Sequence, residues 1–249
     1  GAEVAAIGDK PDGFNINRGV GSTHPQALQQ AVLAQGADIG IAFDGDGDRV
    51  MLVDRHGALA DGDDILYVLA RSLHARGVLK GPVVGTLMSN YGLQLALAEF
   101  GVPLIRANVG DRYVMQQLRQ HDGMLGGETS GHILCLDRAT TGDGIVAALA
   151  VLEALALSGQ DLAIARQGIR KLPQVMLNVR AAGAREALAG DEVQQALAEV
   201  ERILEGRGRV VLRASGTEPL VRVAVEGADA VEVQQLAEKL AETVKSAAE

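Results

Sequence analysis

The chain has 249 residues, 47% hydrophobic and 22% charged, enough for more than one buried core and for one to three domains. A net charge of -9 with no local basic patch argues against nucleic acid as a partner, and no apolar run approaches the roughly 20 residues that cross a membrane. Cys135 is the only cysteine, which excludes an internal disulfide and fits a reducing compartment, by default the cytoplasm; the first six residues lack the basic start and apolar core of a signal peptide.

In chain order, Gly19-Val20-Gly21-Ser22-Thr23-His24-Pro25 precedes a helical stretch, Leu28 to Leu33. Ser or Thr there is most simply a helix N-cap, with Pro25 in the first turn; the sharper alternative makes Ser22 a nucleophile beside His24. The apolar run Ile39 to Phe43 and the run Val50 to Val53 read as strands, with Asp44-Gly45-Asp46-Gly47-Asp48-Arg49 at their tip. The glycines let three carboxylates converge, which is unfavourable unless a cation neutralises them. Oxygen-only donors point to Mg2+ rather than zinc. An EF-hand would need Gly at its sixth position and Glu at its twelfth, where this chain has Arg49 and Arg55. Arg49 suits an anionic phosphate approaching the metal.

Asp61-Gly62-Asp63-Asp64 starts a helix over Ile65 to Arg76, with Gly77 at its end. A strand at Val83 to Leu87, a helix at Leu93 to Phe100, a strand at Leu104 to Ala107, a helix from Asp111 to about Gln120, a strand at Ile133 to Leu136 and a helix at Ile145 to Leu157 follow. This alternation predicts an α/β region with a largely parallel sheet. After Arg170 the pattern changes to short strands at Gln174 to Val179, Arg209 to Ala214 and Leu220 to Glu226, with long helices at Asp191 to Glu205 and Ala230 to Ala248, a smaller α+β unit. Linkers are expected near Arg55-His56-Gly57-Ala58 and at Lys171-Leu172-Pro173, giving segments 1–57, 58–170 and 171–249.

Two further loops carry chemistry. Gly126-Gly127-Glu128-Thr129-Ser130-Gly131-His132 gathers a carboxylate, two hydroxyls and an imidazole, the donor and acceptor density that a polyol requires. Arg213-Ala214-Ser215-Gly216-Thr217-Glu218-Pro219, followed by Arg222, offers backbone N–H groups, hydroxyls and two guanidinium groups to a phosphate, without Walker-loop spacing.

Together and in this order, the loops DGDGDR, GGETSGH and RASGTEPLVRV resemble those of the α-D-phosphohexomutase superfamily, and the likeness covers essentially the whole chain. The stretches GTLMSNYGL at Gly85 to Leu93, VGDRYV at Val109 to Val114 and TTGDGI at Thr140 to Ile145 are similar to its glucosamine branch. The resemblance implies mixed α/β domains followed by a smaller α+β C-terminal domain. It implies interconversion of glucosamine 6-phosphate and glucosamine 1-phosphate through an active-site phosphoserine and a bisphosphate, on the route to UDP-N-acetylglucosamine. It also implies Mg2+ held by Asp44, Asp46 and Asp48, Arg49 beside the transferring phosphoryl group, Glu128, Ser130 and His132 at the sugar, and Arg213, Ser215, Gly216, Thr217 and Arg222 at the non-reacting phosphate. Phosphomannomutase or phosphoglucomutase activity, or a non-catalytic phosphosugar-binding module, are the alternatives.

The family's phosphoserine loop, T/S-x-S-H-N-P, does not occur in this chain, and Ser22-Thr23-His24-Pro25 lacks its Asn. The expectation is therefore a C-terminal portion of the enzyme, inactive alone, whose partners are a hexosamine phosphate and the missing N-terminal domains. An open sheet edge in the first 57 residues is a place where a neighbouring chain, including a homodimer partner, could pair. Asn108 stands near a position where some relatives carry a lysine, so no general acid or base is assigned.

Overall fold

The acidic hexapeptide Asp44 to Arg49 turns the chain back between β1 (Ile39–Phe43) and β2 (Val50–Asp54), which pair antiparallel with Phe43 opposite Val50. The computed structural model describes residues 1–181, 183–215 and 220–248. β3 (Leu59–Ala60) completes a sheet in the order β1-β2-β3, antiparallel throughout. The strand and helix alternation predicts a largely parallel arrangement, and here the structure differs for a simple reason: connections this short return a strand only antiparallel, because a parallel pair needs a crossover. α1 (Gln26–Gln35) packs on β1 and β2 over Gly40, where a Cβ would come within 2.6 Å of Val32 Cγ2.

Residues 1 to 170 form one unit by contact, and Lys171 onward forms a second. In the first, α2 (Gly62–Ala75) begins at Asp61, whose carboxylate accepts from Asp63 N and Asp64 N while Asp64 reaches back to Asp61 N, a reciprocal capping box. There follow β4 (Val83–Thr86), α3 (Tyr91–Ala98), β5 (Leu104–Ala107), α4 (Asp111–Gln120), β6 (Leu125–Gly127), β7 (Ile133–Cys135), α5 (Gly144–Ser158) and the short α6 (Leu162–Ala165). The sheet runs β5-β4-β6-β7, with β5, β4 and β6 parallel and β7 antiparallel to β6.

Strand periodicity sorts the side chains into two layers. Val83, Ile133 and Cys135 join α2, α3 and α5, whereas Val84, Ala107 and Leu134 pack on Val114 and Leu118 of α4. The first layer continues into Val50, Leu52 and Ala60, so one apolar core spans both sheets. That shared core fixes the acidic loop against the second sheet. β3, α6 and the β-extension through Gly126 and Gly127 carry no signal of their own in the sequence; they are short segments set by neighbours.

Burial pushes the Cys135 thiol up to about 12, with Asp137 adding to the shift. The unfolded chain releases this proton first as pH rises, so stability is expected to fall above about pH 9. Alkylation with iodoacetamide at pH 8 checks the same point: the native chain should resist, and the urea-unfolded chain should react. Fast labelling of the native chain would contradict this burial.

In the second unit, β8 (Gln174–Val179), α7 (Ala184–Ala187), α8 (Asp191–Leu204), β9 (Gly208–Ala214), β10 (Val221–Gly227) and α9 (Ala230–Ser246) form an antiparallel sheet of order β8-β10-β9 with α8 and α9 on one face. Val179, Val221, Val223 and Val225 point into that core. The opposite face carries Asn178, Arg222 and Arg213 in one cross-strand row, and Gln174, Glu226 and Arg209 in another. Among the described residues, no helix is long and apolar enough to cross a membrane.

Candidate functional site

Asp44 follows the last residue of β1 and its side chain is buried. Its Oδ1 accepts from Arg49 N over 3.1 Å and its Oδ2 from Arg49 Nε over 2.5 Å. Burial opposes ionisation of this carboxyl, but the hydrogen bonds and charge of Arg49 outweigh it and hold Asp44 below the usual carboxylate range. The loop turns at Gly47, whose φ of 73° lies in the left-handed region. One carboxylate oxygen from each of Asp44, Asp46 and Asp48 lies within 4.8 Å of the others. Asp48 Oδ1 is buried and accepts no hydrogen bond among the described residues. Arg49 Nε stands 3.6 Å from this oxygen, and three convergent hard carboxylates with a buried oxygen that accepts no hydrogen bond fit Mg2+.

The acidic loop is tied to the loop of residues 126–132 through the backbone. Val50 N donates to Gly131 O over 3.0 Å, Arg49 and His132 form an isolated bridge, and Gly144 N donates to Gly47 O over 2.9 Å. A Cβ at Gly131 would lie 2.2 Å from Val50 O, so glycine is required for this approach. His132 is buried with Nδ1 3.0 Å from Asp48 Oδ2, and Gly142 lies against its other nitrogen. The imidazole thus meets the metal loop directly.

Glu128 caps the end of β6 in a tight turn, with Glu128 N donating to His132 O and Gly131 N to Glu128 O, both over 3.0 Å. Its carboxylate is half-buried, and Oε1 accepts from Gly110 N, the N-cap of α4, over 2.9 Å. Ser130 is exposed at the tip. Asp44, Asp46, Asp48, Arg49, Glu128, Ser130 and His132 therefore come together in the first unit. Asp63, Gly110 and Gly142 also build this region; in the sequence Asp63 reads as part of a helix start and the two glycines fall in stretches of family likeness, none of them with a role at the site.

Ser22 does not cap α1: the N-cap is Pro25, with no side-chain capping bond, and Ser22 is buried with its N–H donating to Phe43 O over 2.9 Å. A 550 Å³ cleft beside it is lined by Ile16, Asn17, Gly21, Phe43, Asp44 and Gly45.

In the second unit, Arg222 on β10 stands opposite Arg213 on β9. Ser215 is buried, and its N–H donates to Leu220 O over 2.8 Å. Gly216 and Thr217 lie outside the described residues.

Helix-backed sheets bearing an acidic loop, with a separate arginine-bearing α+β unit, are the parts of a multidomain α/β protein, and the chain belongs to the phosphoglucomutase/phosphomannomutase family. Its alpha/beta/alpha domain II model matches residues 2–57, its alpha/beta/alpha domain III model residues 61–171 and its C-terminal domain model residues 176–243. Within the family, the chain is 59% identical over 249 residues to a phosphoglucosamine mutase of Xylella fastidiosa (strain M12), covering 100% of this chain and 56% of that protein. It is 57% identical over 247 residues to the phosphoglucosamine mutase of Aeromonas hydrophila, covering 99% of this chain and 56% of that protein. The chain thus spans little more than half the length of these relatives.

Among solved structures, a phosphoglucomutase/phosphomannomutase family protein of Burkholderia thailandensis matches with a TM-score of 0.76 at 24% identity, over 91% of this chain and 50% of that one. Aspergillus fumigatus N-acetylphosphoglucosamine mutase, in complex with GlcNAc-6P and magnesium, matches with a TM-score of 0.73 at 23% identity, over 92% of this chain and 57% of that one. These two likenesses establish the fold.

Proposed function

We propose that this chain carries the metal, sugar and distal-phosphate parts of a phosphoglucosamine mutase, which interconverts glucosamine 6-phosphate and glucosamine 1-phosphate in the cytoplasm. The observation that carries the reading is the joining of the metal loop to the sugar loop through Asp48–His132 and the Val50–Gly131 hydrogen bond. That arrangement brings a cation site and polyol-binding groups to one place, as phosphoryl transfer to a sugar hydroxyl requires.

In this reading Asp44, Asp46 and Asp48 hold Mg2+, which when bound neutralises charge on the transferring phosphoryl group. Arg49 shares the neutralisation of Asp44 and presents its guanidinium to the phosphoryl oxygens. Glu128 accepts from sugar hydroxyls, Ser130 contacts a neighbouring oxygen, and His132 orients the loop between them. Arg213, Ser215, Gly216, Thr217 and Arg222 grip the phosphate that is not reacting. The corresponding segments are 1–57 for the metal loop, 58–170 for the sugar loop and 171–249 for the phosphate cradle. The whole enzyme's turnover draws in addition on the phosphoserine loop of the family's first domain.

Calorimetric titration of the chain with glucosamine 6-phosphate tests the reading. Binding that strengthens with Mg2+ and exceeds that of glucose 6-phosphate is the expected result. No binding at millimolar ligand would refute it, and equal binding of the hydroxy sugar would move the assignment to the phosphoglucomutase or phosphomannomutase branch. Supplying the N-terminal domains of a relative in trans, with a hexose 1,6-bisphosphate primer, should give turnover if the chain is the recognition part of an enzyme.

A further inference from the structure

The first turn of α2 lies directly beneath the sugar loop. Gly62 N donates to Thr129 O over 3.1 Å, and a Cβ at residue 62 would fall 1.9 Å from Glu128 O. One residue on, Asp63 is fully buried, and its Oδ2 accepts from Asn90 N over 2.8 Å and from Thr129 Oγ1 over 3.2 Å. Asn90 in turn caps α3 by accepting from Gly92 N over 2.9 Å. Arg106 fastens the same turn from outside the loop, donating to Thr86 O over 3.1 Å and to Ser89 O over 2.6 Å.

A buried carboxylate is unfavourable unless its environment stabilises the charge. The helix N-terminus helps, but α2 already has its reciprocal cap in Asp61 and Asp64. The hydrogen bonds of Asp63 Oδ2 run instead to two loops separated by about 40 residues of chain, 90 and 129. Thr129 sits between Glu128 and Ser130, so a displacement of its backbone moves both neighbours.

We propose that Asp63 is a positioning residue for sugar recognition, setting the Glu128-Thr129-Ser130 segment through Thr129 Oγ1 and coupling it to the Asn90 turn. The inference rests on the reading of Glu128 and Ser130 as sugar-binding groups. Position 129 then contributes to affinity through a hydroxyl that need not touch the ligand, and serine serves there where an isosteric valine does not.

Thr129→Val removes the donor while keeping the shape, and it carries the test even if Asp63→Asn fails to fold. With Mg2+ present, calorimetry on the 249-residue chain should show Thr129→Val losing about tenfold in affinity for glucosamine 6-phosphate, the value of one hydrogen bond. Affinity for inorganic phosphate should stay unchanged, and Thr129→Ser should restore sugar phosphate binding. Unchanged sugar phosphate affinity in Thr129→Val, or an equal loss for both ligands that Thr129→Ser does not rescue, would overturn the proposal. A wild-type chain that binds no glucosamine 6-phosphate would instead overturn the functional reading, and the inference with it.

Discussion

Replacing Asp46 with asparagine should weaken Mg2+ binding by about a hundredfold or more, since even changes one shell out from a metal typically cost ten- to hundredfold. Asp46 is the exposed member of the three carboxylates, so the fold should tolerate its loss within about 0.5 kcal/mol. Asp44→Asn should behave differently. Its carboxylate is buried and receives both Arg49 N and Arg49 Nε, so removing its charge leaves Arg49 without its closest partner as well as removing a ligand. Mg2+ titration followed by calorimetry, beside urea unfolding of the metal-free chain, separates the two effects. An Asp46→Asn chain that binds Mg2+ like the wild type would rule out the acidic loop as the metal site.

The contrast between these two aspartates marks what the sequence made legible. Alternating Asp and Gly between two apolar runs predicted a carboxylate cluster at a strand tip, because local chain geometry alone brings the three side chains together. The start of α2 was legible for the same reason: Asp61 caps within its own turn. Likewise Arg213 and Arg222 lie on strands whose alternation is visible in the sequence, and the register places them opposite each other.

What the sequence did not reveal depends on contacts far apart in the chain. His132 reads as one more polar group of a sugar loop, yet its ring lies against Asp48, 84 residues earlier. Asp63 reads as part of a helix cap, yet it serves Asn90 and Thr129. Ser22 reads as a cap for α1 and is buried beside the end of β1 instead. The parallel sheet that strand and helix alternation predicts is found in β5, β4 and β6, whereas β1 and β2, joined at the tip by the acidic loop, pair antiparallel because so short a connection allows nothing else. Each miss concerns a backbone or side-chain partner that no local periodicity encodes.

Gly142→Ala should destabilise the chain by about 1–3 kcal/mol, the usual range for an added group in a filled space. Gly142 is not among the glycines with positive φ, so backbone strain is not the reason. An added Cβ would fall 2.1 Å from His132 Nε2 and 2.5 Å from His132 Cε1. The ring is itself buried and tied to Asp48, so it can retreat only by pulling on the metal loop. Mg2+ affinity should therefore fall together with stability, although residue 142 offers no ligand. A double-mutant cycle decides whether His132 is the obstacle. In a His132→Ala background the Cβ finds room, so Gly142→Ala should then change the urea midpoint little. If its cost is the same in both backgrounds, the imidazole is not what Gly142 makes room for, and the coupling from this glycine to the metal loop through His132 is wrong.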